Sequence, residues 1–344
     1  MSLGRSGFRE LEQRNRRETA LLVTVFLVLF TALGFGLDFV FGDLRISVGH
    51  LVGFPMLTIA ALIIGSIQAL LSYYNGASLV LTSVHARELT ADSPKHQMVL
   101  DVTREMALAA RLPVPRGYII DDPAPNAFAT GRDPQHSVIC VTSGLVDEMD
   151  REELQGVIGH EMSHIADYDI RTMMMIAVLV GGIALLADFF IRWSWFGGFG
   201  GTGAIGGGGS GRNNRDGGGD AGALIAIAVF ILAAVAPIFS QLIAMAISRQ
   251  REYLADASSV EFTRNPRALL RALEHIAQTE SPLKHASRGV AHLFMVNPLE
   301  GAREDDEGFW SNLFSTHPPL SRRIARLRAL LGESSPAAQV SEKS

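Results

Sequence analysis

The sequence predicts a mainly α fold with a small β-sheet, arranged as a multi-pass α-helical membrane protein that also carries a folded domain. Three observations predict it. Of the 344 residues, 48% are hydrophobic and only 19% charged, below the roughly 25% usual for soluble domains. The hydrophobic residues gather in long charge-free runs. Between those runs, apolar residues recur at helical spacing and two short stretches read as strands. A net charge of −5 supplies no global basic field, so no nucleic acid is expected as a partner. The single cysteine, Cys140, rules out an intramolecular disulfide and any cysteine-based zinc finger.

Residues 1–18 hold Arg5, Arg9, Arg14, Arg16 and Arg17 and are expected as a cytoplasmic N-terminus, since positive charge stays inside. Residues 19–74 hold two expected transmembrane helices. Thr19–Leu37 is free of charge, and the apolar run passes Asp38 to Phe41; Leu51–Tyr74 is a second charge-free run. Each reaches the roughly 18–20 residues that cross a bilayer. The first is longer than the core of a signal peptide and no small-residue cleavage site follows, so it reads as a retained anchor. The Phe41–Leu51 link carries only Arg45, which fits the opposite side.

Residues 75–169 return to the cytoplasm and begin the folded domain. Lys95–Arg111 places Val99, Val102, Met106 and Ala109 on one helical face, and Pro113 and Pro115 end it. Gly117–Ile120 and Ser137–Thr142 read as strands, with Cys140 as a small core residue and Asn126–Gly131 as the link between them. Residues 170–248 are expected as a transmembrane hairpin. Met173–Ala187, interrupted by Asp188, is the weaker span, with a buried core helix as its alternative; Ala221–Ser248 contains Pro237, a kink site. Their external connection, 192–221, is glycine-rich. Fourteen of the 34 glycines fall in Gly197–Gly222, too few side chains for a core, so a flexible loop is expected. Residues 249–331 complete the domain with helices over Arg249–Phe262, Pro266–Gln278 and Arg322–Leu331. Residues 332–344 are a polar tail expected to be disordered.

The chemistry concentrates in Asp150–Asp169, DREELQGVIGHEMSHIADYD. Asp150 and Glu153 form a capping box, and Leu154, Val157, Ile158, Met162 and Ile165 give the helical apolar pattern. His160 and His164 are four apart, so both imidazoles share one face and can grip one zinc ion. Glu161 lies one residue round and can reach a water on the metal without being a ligand. A catalytic zinc site wants a third protein ligand and an open fourth position. RQREYLADA at Arg249–Ala257 offers Glu252 as that ligand, and Asp256, one turn on, to fix the tautomer of a ligand histidine. Alone, this pair would read as a solvated acidic face. Likewise His317 and Arg323 alone would read as a helix start after Pro318–Pro319.

HEMSH, SRQREYLADA, STHPPLSRRIARL at Ser315–Leu327, NAFATG at Asn126–Gly131 and HLFMVNPLEG at His292–Gly301 together resemble the HtpX family of bacterial membrane zinc metallopeptidases, which is related to the CAAX prenyl proteases. The resemblance runs from the first apolar run to about Leu327. It implies a cytoplasmic zincin-type, gluzincin-like metalloprotease domain that acts as an endopeptidase. It implies one zinc per chain on His160, His164 and Glu252, Glu161 as general acid/base, and Asp256 behind a ligand histidine. His317 and Arg323 would hold the tetrahedral intermediate, with Tyr253 a lesser candidate donor. Asn126, Ala127 and Phe128 would offer a sheet edge to an extended peptide. The expected partners are polypeptides, chiefly misfolded membrane proteins, and the lipid bilayer of the cell's inner membrane, in protein quality control under stress. The long glycine-rich loop departs from the family pattern.

Spacing adds a location. His164 is six residues before Ile170 and Glu252 four after Ser248, so the metal is expected within roughly 10 Å of the cytoplasmic membrane boundary. Two alternatives stay open at this point: a specific processing enzyme of the prenyl-protease kind, and a metal-binding membrane scaffold without catalysis.

Overall fold

The computed structural model describes residues 5–41, 45–47, 50–179, 181, 249–278, 283, 290–296 and 318–333. The chain divides into two compact units, one of Met1–Leu22, Leu70–Val178 and Ile243–Ser344, the other of Val23–Ala69 and Leu179–Leu242.

The second unit holds the C-terminal part of helix α1 (Arg5–Phe41), a two-stranded antiparallel hairpin of β1 (Arg45–Ser47) and β2 (His50–Val52), and the first half of helix α2 (Met56–Ser83). Asp38, a charge inside the first apolar run, is buried and caps α2. Its carboxylate accepts from the N–H of Leu57 (2.9 Å), the N–H of Thr58 (2.7 Å) and the Thr58 hydroxyl (2.6 Å). An acid at a helix N-terminus satisfies amides that have no partner within the helix and complements the helix dipole.

Among the described residues α2 is the one helix long and apolar enough to cross a membrane; only 17% of its apolar window is buried. Leu62, Ile63, Ile64, Ile67, Leu70 and Leu71 stand exposed on it. It starts five residues after the predicted Leu51, where Asp38 caps it, and runs nine beyond Tyr74. Helix α1 is continuous through both the expected cytoplasmic N-terminus and the first apolar run. Of the third run, 173–179 is helical, with Met173–Ala177 and Leu179 buried. Apart from residue 181, the rest of that run lies outside the described residues, as do the glycine-rich connection, Ala221–Ser248 and the tail from 334.

The first unit is built around a four-stranded sheet in the order β3 (Arg87–Glu88), β4 (Arg116–Ile120), β6 (Ser137–Thr142), β5 (Ala127–Gly131). β4 and β6 are parallel; β5 runs antiparallel to β6, with Phe128 opposite Cys140 and Ala129 opposite Ile139. Asn126–Gly131, expected as a link, is therefore largely a strand, and an edge strand. Its small residues gave no alternation of apolar and polar, because it is buried throughout.

Period-two alternation assigns the sheet's faces. Ala127, Ala129, Ile139 and Val141 pack with α3 (Pro94–Ala110), α4 (Ser143–Glu148) and α5 (Arg151–Ala166). Phe128, Val138 and Cys140 pack on the other face against Val80 and Leu81 of α2, Val84 just past its end, and Phe294. Helix α3 begins one residue earlier than predicted, capped by Ser93, whose hydroxyl accepts from the N–H of His96.

Helix α5 is the central element and thirteen of its residues are buried. The predicted capping box forms, with Asp150 and Glu153 exchanging side-chain to backbone bonds of 2.9 Å. It packs against α6 (Arg249–Thr263) and α7 (Pro266–Ala277). Gly156 permits this approach: a Cβ there would meet the backbone N of Leu269 at 2.6 Å. Ser259 on α6 donates to the carbonyl of Gly156 (2.7 Å) and pins the α5–α6 crossing one turn before His160. The last described helix, α8 (Leu320–Leu330), packs on α7.

Candidate metal centre

Helices α5 and α6 bring His160, His164 and Glu252 together, all buried, each offering a ligand atom within 4.8 Å of the others. The Nε2 atoms of the two histidines are 3.3 Å apart. Nε2 of His160 is 3.5 Å from Oε2 of Glu252, and Nε2 of His164 is 3.5 Å from Oε1. Ligands about 2.0–2.1 Å from a tetrahedral zinc stand roughly 3.3–3.5 Å from one another. Two imidazole nitrogens and a carboxylate at these separations fit that ion in both donor chemistry and spacing.

Each histidine turns its other ring nitrogen to a buried carboxylate. Nδ1 of His160 lies 3.0 Å from Asp256 Oδ1. Nδ1 of His164 lies 3.4 Å from Asp169 Oδ2. Hydrogen bonds of this kind keep the proton on Nδ1 and leave Nε2 with a lone pair for a metal. Each carboxylate is in turn held by a buried arginine. Arg323 donates to Asp256 through Nε (3.0 Å) and Nη2 (2.6 Å). Arg251 donates to Asp169 (3.1 Å) and to Glu18 (2.9 Å).

The electrostatics follow. Burial and the Arg323 charge push the His160 imidazole down, but Asp256 and Glu252 outweigh them and its pKa is raised. Burial also opposes charge on His164, yet Asp169, Glu252 and Glu161 push it up to about 9. Asp256 and Asp169 stay below the ordinary carboxylate range despite burial. Arg323 and His160 hold the first down, and His164 and Arg251 the second. Glu161 is raised, first by burial, with Glu252 adding to it, while His160, His164 and the N–H of Ala129 work the other way.

The amide of Ala129 thus links Glu161 to strand β5. Asn126, Ala127 and Phe128, predicted to line a substrate edge, are buried at 3%, 1% and 0% exposure. The Phe128 ring packs edge-on against Phe294, with centroids 4.9 Å apart. Asn126 Nδ2 donates to the carbonyl of Val296 (2.9 Å), and the N–H of Met295 donates to the carbonyl of Ala127 (2.9 Å). At Asn126 and Ala127 the chain's own 295–296 segment is bonded, so part of the expected edge already has a partner.

Arg323 lies among the ligands and their carboxylates. Its guanidinium is fully buried, 3.3 Å from the carbonyl oxygen of Met295, 3.3 Å from Nδ1 of His160 and 3.6 Å from Oε2 of Glu252. So enclosed, it holds the carboxylates of the site. His317 lies outside the described residues. Tyr253 is half-buried, its ring stacked by Arg326 at 4.7 Å.

Sequence reasoning passed over Asp169, Arg251 and Asn15. Asp169 is five residues after His164, which in a continuous helix would place it about 140° round the axis. Tyr168 instead adopts a left-handed backbone (φ 61°) that ends α5 and swings Asp169 back to His164. The one signal available was the acid itself, two residues into the break.

Comparison with known proteins accounts for this arrangement. The family model described as Peptidase family M48 matches residues 93–331. A protein named Protease HtpX homolog from Lactobacillus helveticus (strain DPC 4571) is 40% identical over 321 residues, covering 92% of this chain and 98% of its own. Proteins of the same name from Lactobacillus acidophilus (41%, covering 91% and 97%) and Caldanaerobacter subterraneus subsp. tengcongensis (40%, covering 93% and 97%) match over similar lengths. The crystal structure of S. mikatae Ste24p aligns with 92% of this chain and 66% of its own at 17% identity and a TM-score of 0.43, too distant to inform the site. With its two histidines on α5, its glutamate on α6 and relatives alike from end to end, the chain belongs to peptidase family M48.

Proposed function

We propose that the chain is a membrane-bound zinc metalloendopeptidase that cuts polypeptides close to the cytoplasmic face of the inner membrane. The observation that carries this is the trio of ligand separations, 3.3, 3.5 and 3.5 Å, with the carboxylate of Glu161 on the next residue of the same helix. His160, His164 and Glu252 would hold one zinc ion. When bound, zinc supplies a water acidified to a pKa of about 7 and a Lewis acid for the scissile carbonyl.

The chain's own groups do the rest. Glu161, buried and raised in pKa, accepts the proton of the attacking water and returns it to the leaving amine. The N–H of Ala129 orients that carboxylate. Asp256, with Arg323 behind it, fixes the tautomer of His160. His317, just before the prolines that lead into α8, donates to the developing oxyanion. The extended peptide pairs with β5 past Ala127, the residue whose carbonyl Met295 already occupies. The exposed apolar side chains of α2 support membrane attachment. Misfolded membrane proteins in quality control are the proposed substrates.

The test compares wild type and Glu161→Gln, purified with chelator and reloaded with zinc, on an unfolded polypeptide. Cleavage by the wild type alone is expected. Equal zinc binding with no cleavage by either form would overturn the proposal in favour of a metal-binding scaffold.

A further inference from the structure

The two halves of the centre repeat one pattern. His160–Asp256–Arg323 and His164–Asp169–Arg251 are each a ligand histidine, a buried carboxylate on its Nδ1 and a buried arginine on that carboxylate. The second differs in reaching the N-terminal helix. Asn15 on α1, wholly buried, donates from Nδ2 to Asp169 Oδ1 (3.2 Å) and to the carbonyl of Asp167 (2.6 Å). Its side-chain Oδ1 accepts from the Thr172 hydroxyl (3.4 Å), and Thr172 and Thr19 share a 3.2 Å hydroxyl contact. Glu18, one helical turn from Asn15, takes the other side of Arg251.

We propose that Asp169 is the positioning residue for His164, and that Asn15 and Glu18 make helix α1 part of the metal centre's support. The geometry divides the work. Oδ2 of Asp169 faces the imidazole, so Oδ1 is left for Arg251 and Asn15, and the carboxylate cannot rotate without losing both. Arg251 precedes Glu252 in α6, so the same helix turn that delivers a metal ligand also locks the support of another. Residues 1–18, from the sequence a plain cytoplasmic end, hold two of the contacts. The inference rests on His160, His164 and Glu252 binding a metal, and the experiment separates the two.

Full-length wild type, Asp169→Asn and Asn15→Ala are titrated with zinc against a competing chelator. Each is also loaded with cobalt(II) for its visible d–d spectrum, and the thermal midpoint of each metal-free form is recorded. Wild type is expected to bind one ion. Asp169→Asn is expected to bind zinc about 10–100-fold more weakly, with displaced cobalt bands. Asn15→Ala should shift both in the same direction by less. A midpoint that falls while affinity and spectrum stay those of the wild type would assign Asp169 a structural role only and overturn the inference. If Asp169→Asn fails to fold, Asn15→Ala decides by the same two readouts. No metal on the wild type would overturn the reading of the site itself, and the inference with it.

Discussion

At the scale of residues, the site is a set of charges that stabilise one another only in particular protonation states. His164, pushed up to about 9 by carboxylates around it, is a cation at neutral pH when no metal is present. A histidine raised in the folded state adds stability that is fully present below its unfolded value, near 6.5, and is lost as pH climbs through about 9. A bound metal requires the neutral imidazole, so it reverses the trend. The thermal midpoint of chelated protein is therefore expected to fall between pH 6.5 and 9, and that of zinc-loaded protein to hold or rise; parallel curves would contradict the assignment of His164. Sequence spacing made His160, His164 and Glu252 legible, because helical periodicity relates them within each helix. It could not show Asp169, because a left-handed residue intervenes, nor Asn15, because its partners lie more than 150 positions away. Nor could it show that the charge at Asp38 is a helix cap. Asp38→Ala should cost about 1 kcal/mol of stability, the usual worth of an N-cap, and Asp38→Asn less, as read by urea unfolding in detergent.

Among the elements, α5 does most to place the chemistry, and it does so through close approach. Its bounds were legible because Asp150, Glu153 and the apolar spacing all state a helix start. Its crossing with α6 and α7 was not, since a glycine in a helix reads as a weak position until its neighbours are known. Gly156→Ala gains helix propensity of about 1 kcal/mol but drives a methyl group into the backbone of Leu269. Overpacking of that kind costs about 1–3 kcal/mol when side chains can yield; backbone yields less. The variant is expected to unfold several degrees lower, and to bind zinc more weakly because His160 sits one turn on. Strand β5 shows the opposite failure of sequence reading. Its small residues, buried on both faces, lacked the alternation that marks a half-exposed strand, and only pairing with β6 reveals it.

Over the whole molecule, the relation between the metal centre and the hydrophobic middle of the chain is one of chain order. The two ligand histidines and Asp169 precede residues 170–248; Arg251, Glu252 and Asp256 follow them; Asn15 and Glu18 come before everything else. Each of these parts folds into a single unit. Removing zinc should therefore loosen that unit as a whole, with chelator exposing sites in both 75–169 and 249–331 to limited proteolysis together. Cuts confined to one stretch would show that the metal does not join them. The same division has a consequence for the newborn chain. The HEMSH helix leaves the ribosome roughly 4–18 s before Glu252, at 5–20 residues per second. During that interval the nascent peptidase has two imidazoles and no third ligand. It cannot attack its ribosome-bound neighbours, nor its own unfinished length. Competence arrives only once residues 170–248 have been made and Glu252 has followed them, so that the order of synthesis itself serves as the safety catch.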